Sequence, residues 1–101
     1  MDINYELYKV FYFVASSGSF SKASEVMLIS QPAVSQSIKS LEEQLGIQLF
    51  VRTKKGIILT EEGRELFNYV KEGMNYFING TNKFTSLKIC IMSNKMILIC
   101  K

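Results

Sequence analysis

Residues 19–60 constrain the fold of this chain more than any other part of the sequence. They contain two short amphipathic helical patterns joined by an apolar turn at Leu28-Ile29. Two β-prone runs follow, residues 49–51 and 57–59, and a charged turn containing Gly56 separates them. This order predicts a pair of helices followed by a β-hairpin with charge at its tip.

A first helix is predicted over residues 4–17, with Ser17-Gly18 as its C-terminal stop. Its apolar stripe falls at i, i+3, i+4 and i+7: Leu7, Val10, Phe11 and Val14. The second helix follows directly, with Ser19 as its N-cap. We expect its inward positions to be Phe20, Ala23, and either Val26 or Met27.

The third helix combines a buried stripe with a polar exposed face. Ser30 suits its N-cap, Pro32 lies in the first turn, where a missing N–H costs nothing, and Gly46 closes it. The buried stripe repeats at helical spacing: Val34, Ile38, Leu41 and Leu45. At about 100° per residue, the other side of the helix presents Pro32, Ser35, Gln36 and Lys39.

A fourth helix is predicted to begin after Thr60 and to end near Asn79-Gly80. It carries an apolar seam: Leu66, Phe67, Tyr69, Val70, Met74 and Phe77. The seam either folds back on the core or pairs with a second subunit. We favour pairing, because a three-helix core has little surface to cover so long a seam. Residues 83–101 are expected to be irregular or to hold a remnant strand at residues 87–91.

Composition excludes several classes of protein. A chain of 101 residues with 48% apolar and 21% charged residues makes one small globular domain. It contains no histidine, and its two cysteines lie near the C-terminus, so neither a zinc site nor a histidine-based active site is expected. The sequence therefore predicts neither an enzyme nor a cofactor.

Membrane and secretory signals are missing as well. No run of about 18 uncharged apolar residues occurs, and the N-terminus carries Asp2 and Glu6 rather than a basic start. We expect a cytoplasmic protein with no membrane partner.

The exposed face of the third helix has the side chains that read DNA. Ser35 and Gln36 can hydrogen-bond base edges, and Lys39 can neutralise phosphate or contact guanine. Ala33 is small enough to let the helix sit deep in a groove, and Ser30 and Gln31 lie at the helix N-terminus, which favours a phosphate. The other interpretation is an ordinary solvated face.

The hairpin charges are ambiguous by themselves, since basic hairpin tips often serve only solubility. However, every basic residue between positions 30 and 59 lies on the third-helix face or in the hairpin: Lys39, Arg52, Lys54 and Lys55. Glu42 and Glu43 would repel phosphate near the end of that helix, which restricts DNA contact to its first two turns. This distribution favours binding to double-stranded DNA.

Dispersed motifs with fixed spacing carry a resemblance to a known family. They include Gly18-Ser-Phe-Ser21, Ser30-Gln-Pro-Ala-Val-Ser35, Leu41-Glu42, Leu45-Gly46, Leu49-Phe50 with Arg52, and Leu59-Thr60 with Gly63. About residues 1–82 closely resemble the N-terminal DNA-binding domain of LysR-type transcriptional regulators. The resemblance implies a mainly α fold. Residues 1–60 would form a winged helix-turn-helix, which is a three-helix core plus a small β-hairpin wing. Residues 61–82 would form a linker or dimerisation helix.

The resemblance also implies roles for individual residues. Gln31, Pro32, Ser35 and Gln36 would meet bases and Lys39 the backbone. Arg52 would reach toward the minor groove with Lys55 close by. Ser19 and Ser21 resemble phosphate-contacting positions. The fourth helix would pair antiparallel with its mate, giving a homodimer that regulates transcription from an interrupted palindrome.

The sequence departs from the family after residue 91. Residues 87–91 resemble the first strand of the family's ligand-binding domain, and the similarity then ends, so no small-molecule co-inducer is expected to bind this chain. The alternative function is a protein-interaction module, in which the fourth helix forms mixed dimers with a full-length relative and inhibits it.

Overall fold

The computed structural model describes residues 3–94, and the side chains of residues 3–85. Three helices are followed by a hairpin and a long helix: α1 (Tyr5–Ser17), α2 (Phe20–Met27), α3 (Gln31–Leu45), β1 (Phe50–Thr53), β2 (Gly56–Leu59) and α4 (Glu61–Asn94). The predicted order of elements is confirmed. Within this described part of the chain, no helix is long and apolar enough to cross a membrane.

Local capping chemistry fixes the ends of the first three helices. The Ser19 hydroxyl accepts from the Lys22 amide at 3.1 Å, and the Ser30 hydroxyl accepts from the Ala33 amide at 3.2 Å, as predicted. Gly18 and Gly46 end α1 and α3 with φ of 73° and 70°, a left-handed conformation that glycine adopts without strain. These caps hold the short α2 between two defined boundaries.

Leu28 ends α2 in the same left-handed region, with φ of 59°. Leucine is an unfavourable residue there, because its Cβ approaches the following carbonyl oxygen. The side chain is 90% exposed, so its packing does not offset this strain. The sharp turn between α2 and α3 therefore forms at a local cost.

The core lies among α1, α2, α3 and the start of the hairpin. Its buried members are Leu7, Val10, Phe11, Val14, Ala23, Val34, Ile38, Leu41, Leu49 and Phe50. The predicted stripes of α1 and α3 are confirmed, with Leu45 half-buried at the margin. On α2, Met27 packs against the core while Val26 is 62% exposed, which decides between the two inward positions.

The hairpin, which we call the wing, pairs Phe50 with Leu59 and Arg52 with Ile57 in antiparallel register. Because side chains alternate along a strand, Phe50 and Arg52 share one face of the wing. At the tip, the Thr53 hydroxyl donates to the Gly56 carbonyl at 2.9 Å and accepts from the Lys55 amide at 3.2 Å.

The residues before the wing are bonded to the start of α4. The Thr60 amide donates to the Leu49 carbonyl at 3.0 Å, and the Thr60 hydroxyl donates to the Gln48 carbonyl at 2.6 Å. The same hydroxyl accepts from the Gly63 amide at 2.9 Å and so caps α4, as predicted. The segment that enters the wing is therefore hydrogen-bonded to the residue that leaves it, at the start of α4.

The chain divides into two compact units after Val70. In the first unit, Leu66, Phe67 and Val70 of the predicted seam pack against the core. We favoured pairing of the whole seam because the core has little surface to cover it; for these three residues the core does provide that surface. They cover the core because the first turns of α4 follow directly from Thr60, which is hydrogen-bonded to Gln48 and Leu49.

In the second unit, Met74 is buried and Phe77 is 61% exposed. The predicted break at Asn79-Gly80 and the remnant strand at residues 87–91 are wrong, since α4 continues to Asn94. A glycine inside a helix costs only about 1 kcal/mol, and helical hydrogen bonds form locally, whereas a strand needs a partner. Residues 95–101 of the predicted tail lie outside the described residues.

Candidate nucleic-acid interface

A groove lies between α3 and the wing, with a volume of about 560 Å³. The α3 side presents one stripe at i, i+3, i+4 and i+7: Ser35, Ile38, Lys39 and Glu42. The remaining lining residues come from the wing and the segments beside it: Phe20, Gln48, Phe50, Arg52 and Ile57. We call this the α3–wing groove.

The groove brings together three of the predicted DNA-binding residues, Ser35, Lys39 and Arg52. Lys39 and Arg52 are exposed, and Ser35 is half-buried, so a hydroxyl and two cations are presented to solvent in one place. These side chains donate to acceptor oxygens and nitrogens such as those of phosphates and guanine edges.

Strand alternation explains why Arg52 reaches the groove. It shares the inner face of the wing with Phe50, while Val51 and Thr53 lie on the other face. Its guanidinium carbon lies 5.4 Å from the centroid of the Phe20 ring, at the start of α2. Arg52 is therefore held beside α3 even though it lies on a two-stranded hairpin.

The first turns of α3 form a second exposed surface next to the groove. Its members are exposed: Ser30, Gln31, Pro32, Ala33 and Gln36. The Gln36 amide nitrogen lies 3.4 Å from the Ser40 hydroxyl oxygen, a long contact that a stronger partner can replace. The prediction that this face of α3 points outward is confirmed.

The remaining predicted residues lie outside the groove lining. Ser19 is half-buried and its hydroxyl oxygen is engaged in capping α2, whereas Ser21 is exposed in the first turn of α2. Lys54 and Lys55 form the exposed turn of the wing. These four residues therefore do not line the α3–wing groove with Ser35, Lys39 and Arg52.

Glu42 has a structural role that the sequence did not predict. Its Oε2 atom accepts a hydrogen bond of 2.7 Å from the Leu49 amide, and Leu49 is fully buried. The carboxylate thus fixes the start of the wing on α3. Glu42 lies one helical turn beyond Ile38 and Lys39. This spacing is the one sequence signal that could have placed Glu42 in the same groove.

Phe20 also lines the groove, although the sequence predicted it only as an inward position of α2. It is half-buried and packs against the core, but it also contacts Arg52. No local signal links positions 20 and 52, because their contact depends on the register of the wing.

Known proteins share both the sequence and the fold of this domain. The sequence profile of the bacterial regulatory helix-turn-helix proteins of the lysR family matches residues 5–64. The RuBisCO operon transcriptional regulator of Allochromatium vinosum is 42% identical over 69 residues, which are 68% of this chain and 23% of that protein. The glycine cleavage system transcriptional activator of Escherichia coli strain K12 is 41% identical over 75 residues, which are 74% of this chain and 25% of that protein.

Among solved structures, the crystal structure of the BenM DBD/benA site 1 DNA complex matches with a TM-score of 0.73 and 29% identity. The match covers 82% of this chain and 96% of that one. The chain thus spans about a quarter of the length of the curated relatives it matches, and nearly all of a structure of DNA-binding-domain size. The profile match over residues 5–64, together with the helix-turn-helix and wing described above, shows that the chain belongs to the LysR family of bacterial regulatory helix-turn-helix proteins.

Proposed function

We propose that this chain binds double-stranded DNA in a sequence-specific manner as the DNA-binding part of a transcriptional regulator. The observation that carries the proposal is the convergence of Ser35, Lys39 and Arg52 on the α3–wing groove, beside the exposed first turns of α3. Two curated relatives are transcriptional regulators, and a structural neighbour is a DNA complex, which supports the same function. A regulator of this kind works in the cytoplasm, where bacterial DNA is located.

The proposed contacts divide into base reading and backbone binding. Gln31, Pro32, Ser35 and Gln36 read base edges in the major groove from the first two turns of α3, with Ala33 allowing close approach. Lys39 and the helix N-terminus at Ser30 bind phosphates. The other backbone contacts come from Ser19 and Ser21 on α2 and from Lys54 and Lys55 at the wing tip, while Arg52 reaches toward the minor groove.

We also propose that two copies pair through α4 and bind an interrupted palindrome. Beyond Val70, α4 presents two aromatic side chains to solvent, with Phe77 61% and Phe84 68% exposed. Gly73, Phe77, Gly80 and Phe84 follow one another at i, i+4, i+7 and i+11, so they form one stripe. A Cβ at either glycine would meet nothing within 4 Å, which leaves room for an aromatic ring of a second helix.

A mobility-shift titration with a duplex selected from random DNA tests DNA binding. We expect retardation at low salt, with log affinity falling linearly with log salt. Arg52→Ala should reduce the magnitude of that slope by about one for each arginine–phosphate contact that is lost. Lys9→Gln is the matched control, because it removes a charge from α1, outside the proposed interface. Failure of the unaltered protein to retard any duplex at low salt would refute the proposal.

Sedimentation velocity tests pairing. A charge at Val70 is a poor probe, because Val70 packs against the core and its replacement would disturb the domain itself. Phe77→Glu is expected to give monomers, whereas Ile78→Glu should leave the dimer intact, because Ile78 lies about 100° around the helix. An unchanged mass for Phe77→Glu excludes this stripe. Pairing only with a full-length relative would instead favour the mixed-dimer alternative.

A further inference from the structure

The Arg52 side chain lies against the Phe20 ring, although the two residues belong to different elements. Its guanidinium carbon is 5.4 Å from the ring centroid, inside the range of about 6 Å over which a cation is attracted to an aromatic face. Arg52 comes from β1, and Phe20 is the first residue of α2. The contact therefore connects the wing to the helix that precedes α3.

The Phe20 ring is itself held by the core. It meets the Phe50 ring edge-on, with centroids 6.0 Å apart and planes at 88°. Phe50 lies 5.6 Å from the ring of Phe11, which is fully buried. The Phe20 backbone is also fixed, because it directly follows Ser19, the N-cap of α2. Phe20 thus forms a rigid platform at the edge of the α3–wing groove.

We propose that Phe20 is a positioning residue that orders the Arg52 guanidinium before DNA arrives, an inference that rests on the proposed function. A free arginine loses rotamer freedom when it binds, and a side chain ordered in advance loses less. Arg52 is exposed, so its guanidinium N–H groups remain open to an acceptor while the guanidinium carbon lies over the ring. Phe20 therefore strengthens DNA binding without touching DNA.

The contact also favours arginine over lysine. A guanidinium is planar and rests its face on a ring while its N–H groups point outward from the edge. An ammonium group keeps the charge but has no plane for the ring to orient. Position 52 should consequently discriminate between these two cations, although both neutralise a phosphate.

A double-mutant cycle with Phe20→Leu and Arg52→Ala tests the positioning role, with affinity measured on the selected duplex. Phe20→Leu should weaken binding two- to five-fold, the range expected for an exposed cation–π contact, and should leave the salt dependence unchanged. In the Arg52→Ala background the same change should have no further effect. An equal loss in both backgrounds would show that Phe20 acts only through the fold and would overturn the inference.

Two measurements keep the test decisive if Phe20→Leu folds poorly. The chain contains two arginines, Arg52 and Arg64, so the side-chain protons of Arg52 can be compared with those of Arg64 by NMR without DNA. Stacking predicts upfield ring-current shifts for Arg52 alone, and identical shifts for both arginines overturn the inference. Arg52→Lys should lose affinity at an unchanged salt dependence, and full affinity of this variant overturns it as well.

The outcomes separate this inference from the proposed function. If the unaltered protein retards no duplex at low salt, the proposed function fails and the positioning role fails with it. If the protein binds and the cycle shows no coupling between positions 20 and 52, only the positioning role is refuted.

Discussion

Replacing Gly63 with alanine should destabilise the fold, although alanine is favoured over glycine in most helices. At an open helical position the exchange stabilises by about 1 kcal/mol. At Gly63 the added Cβ would collide with the Leu49 carbonyl oxygen and lie 3.1 Å from both the Leu49 carbonyl carbon and Leu59 Cδ2. The obstructing oxygen belongs to the backbone and accepts from the Thr60 amide, so it cannot rotate away.

The size of the effect follows from these contacts. Overpacking of a closed site costs about 1–3 kcal/mol, and weakening the hydrogen bond between Thr60 and Leu49 costs about 1 kcal/mol more. The better helix propensity of alanine offsets about 1 kcal/mol. The free energy of unfolding should therefore fall by about 2 kcal/mol, which lowers Tm by roughly 8 to 16 °C for a domain of this size.

Thermal unfolding followed by circular dichroism at one protein concentration measures this difference. Asn68→Ala is the control, because Asn68 is exposed in the same helix on the side opposite Phe77, and alanine is the better helix former. We expect the control to raise Tm while Gly63→Ala lowers it. A Gly63→Ala protein as stable as the parent would refute the close approach of α4 to Leu49, as would equal shifts in both variants.

Three further changes test other features. Leu28→Asn should stabilise the fold by about 1 kcal/mol, because asparagine tolerates the left-handed turn better than leucine; an unchanged denaturation midpoint would contradict the strain. Glu42→Ala should cost about 1–3 kcal/mol by leaving the Leu49 amide without its acceptor, whereas Glu42→Gln retains an acceptor and should cost less; equal losses would contradict this role. Gln36→Ala should change base preference by about 1–3 kcal/mol at one position per half-site in a binding-site selection, and an identical selected sequence would remove Gln36 from the reading surface.

Features set by neighbouring residues were predictable from the sequence. The N-caps at Ser19 and Ser30 and the glycine stops at Gly18 and Gly46 depend on a few adjacent residues, and the structure confirms all four. The outward face of α3 was also predictable, because the buried stripe leaves only one side of the helix for polar residues.

Features that depend on distant contacts were not predictable. The position of Arg52 beside Phe20 requires both the register of the wing and the placement of α2. The spacing of apolar residues along α4 indicates that Leu66 and Val70 are buried. It does not indicate whether the domain's own core or a second subunit buries them, because both would require the same spacing. The passage of α4 through Gly80 was missed because glycine weakens a helix without always ending it.

Leu49 connects α3 to α4 through its backbone amide and carbonyl groups. Its amide is bonded to Glu42 on α3, its carbonyl to Thr60 at the start of α4, and its side chain is fully buried. The segment that enters the wing is consequently bonded to α3 on one side and to the start of α4 on the other. The two walls of the α3–wing groove and the start of α4 are thus anchored at one buried residue.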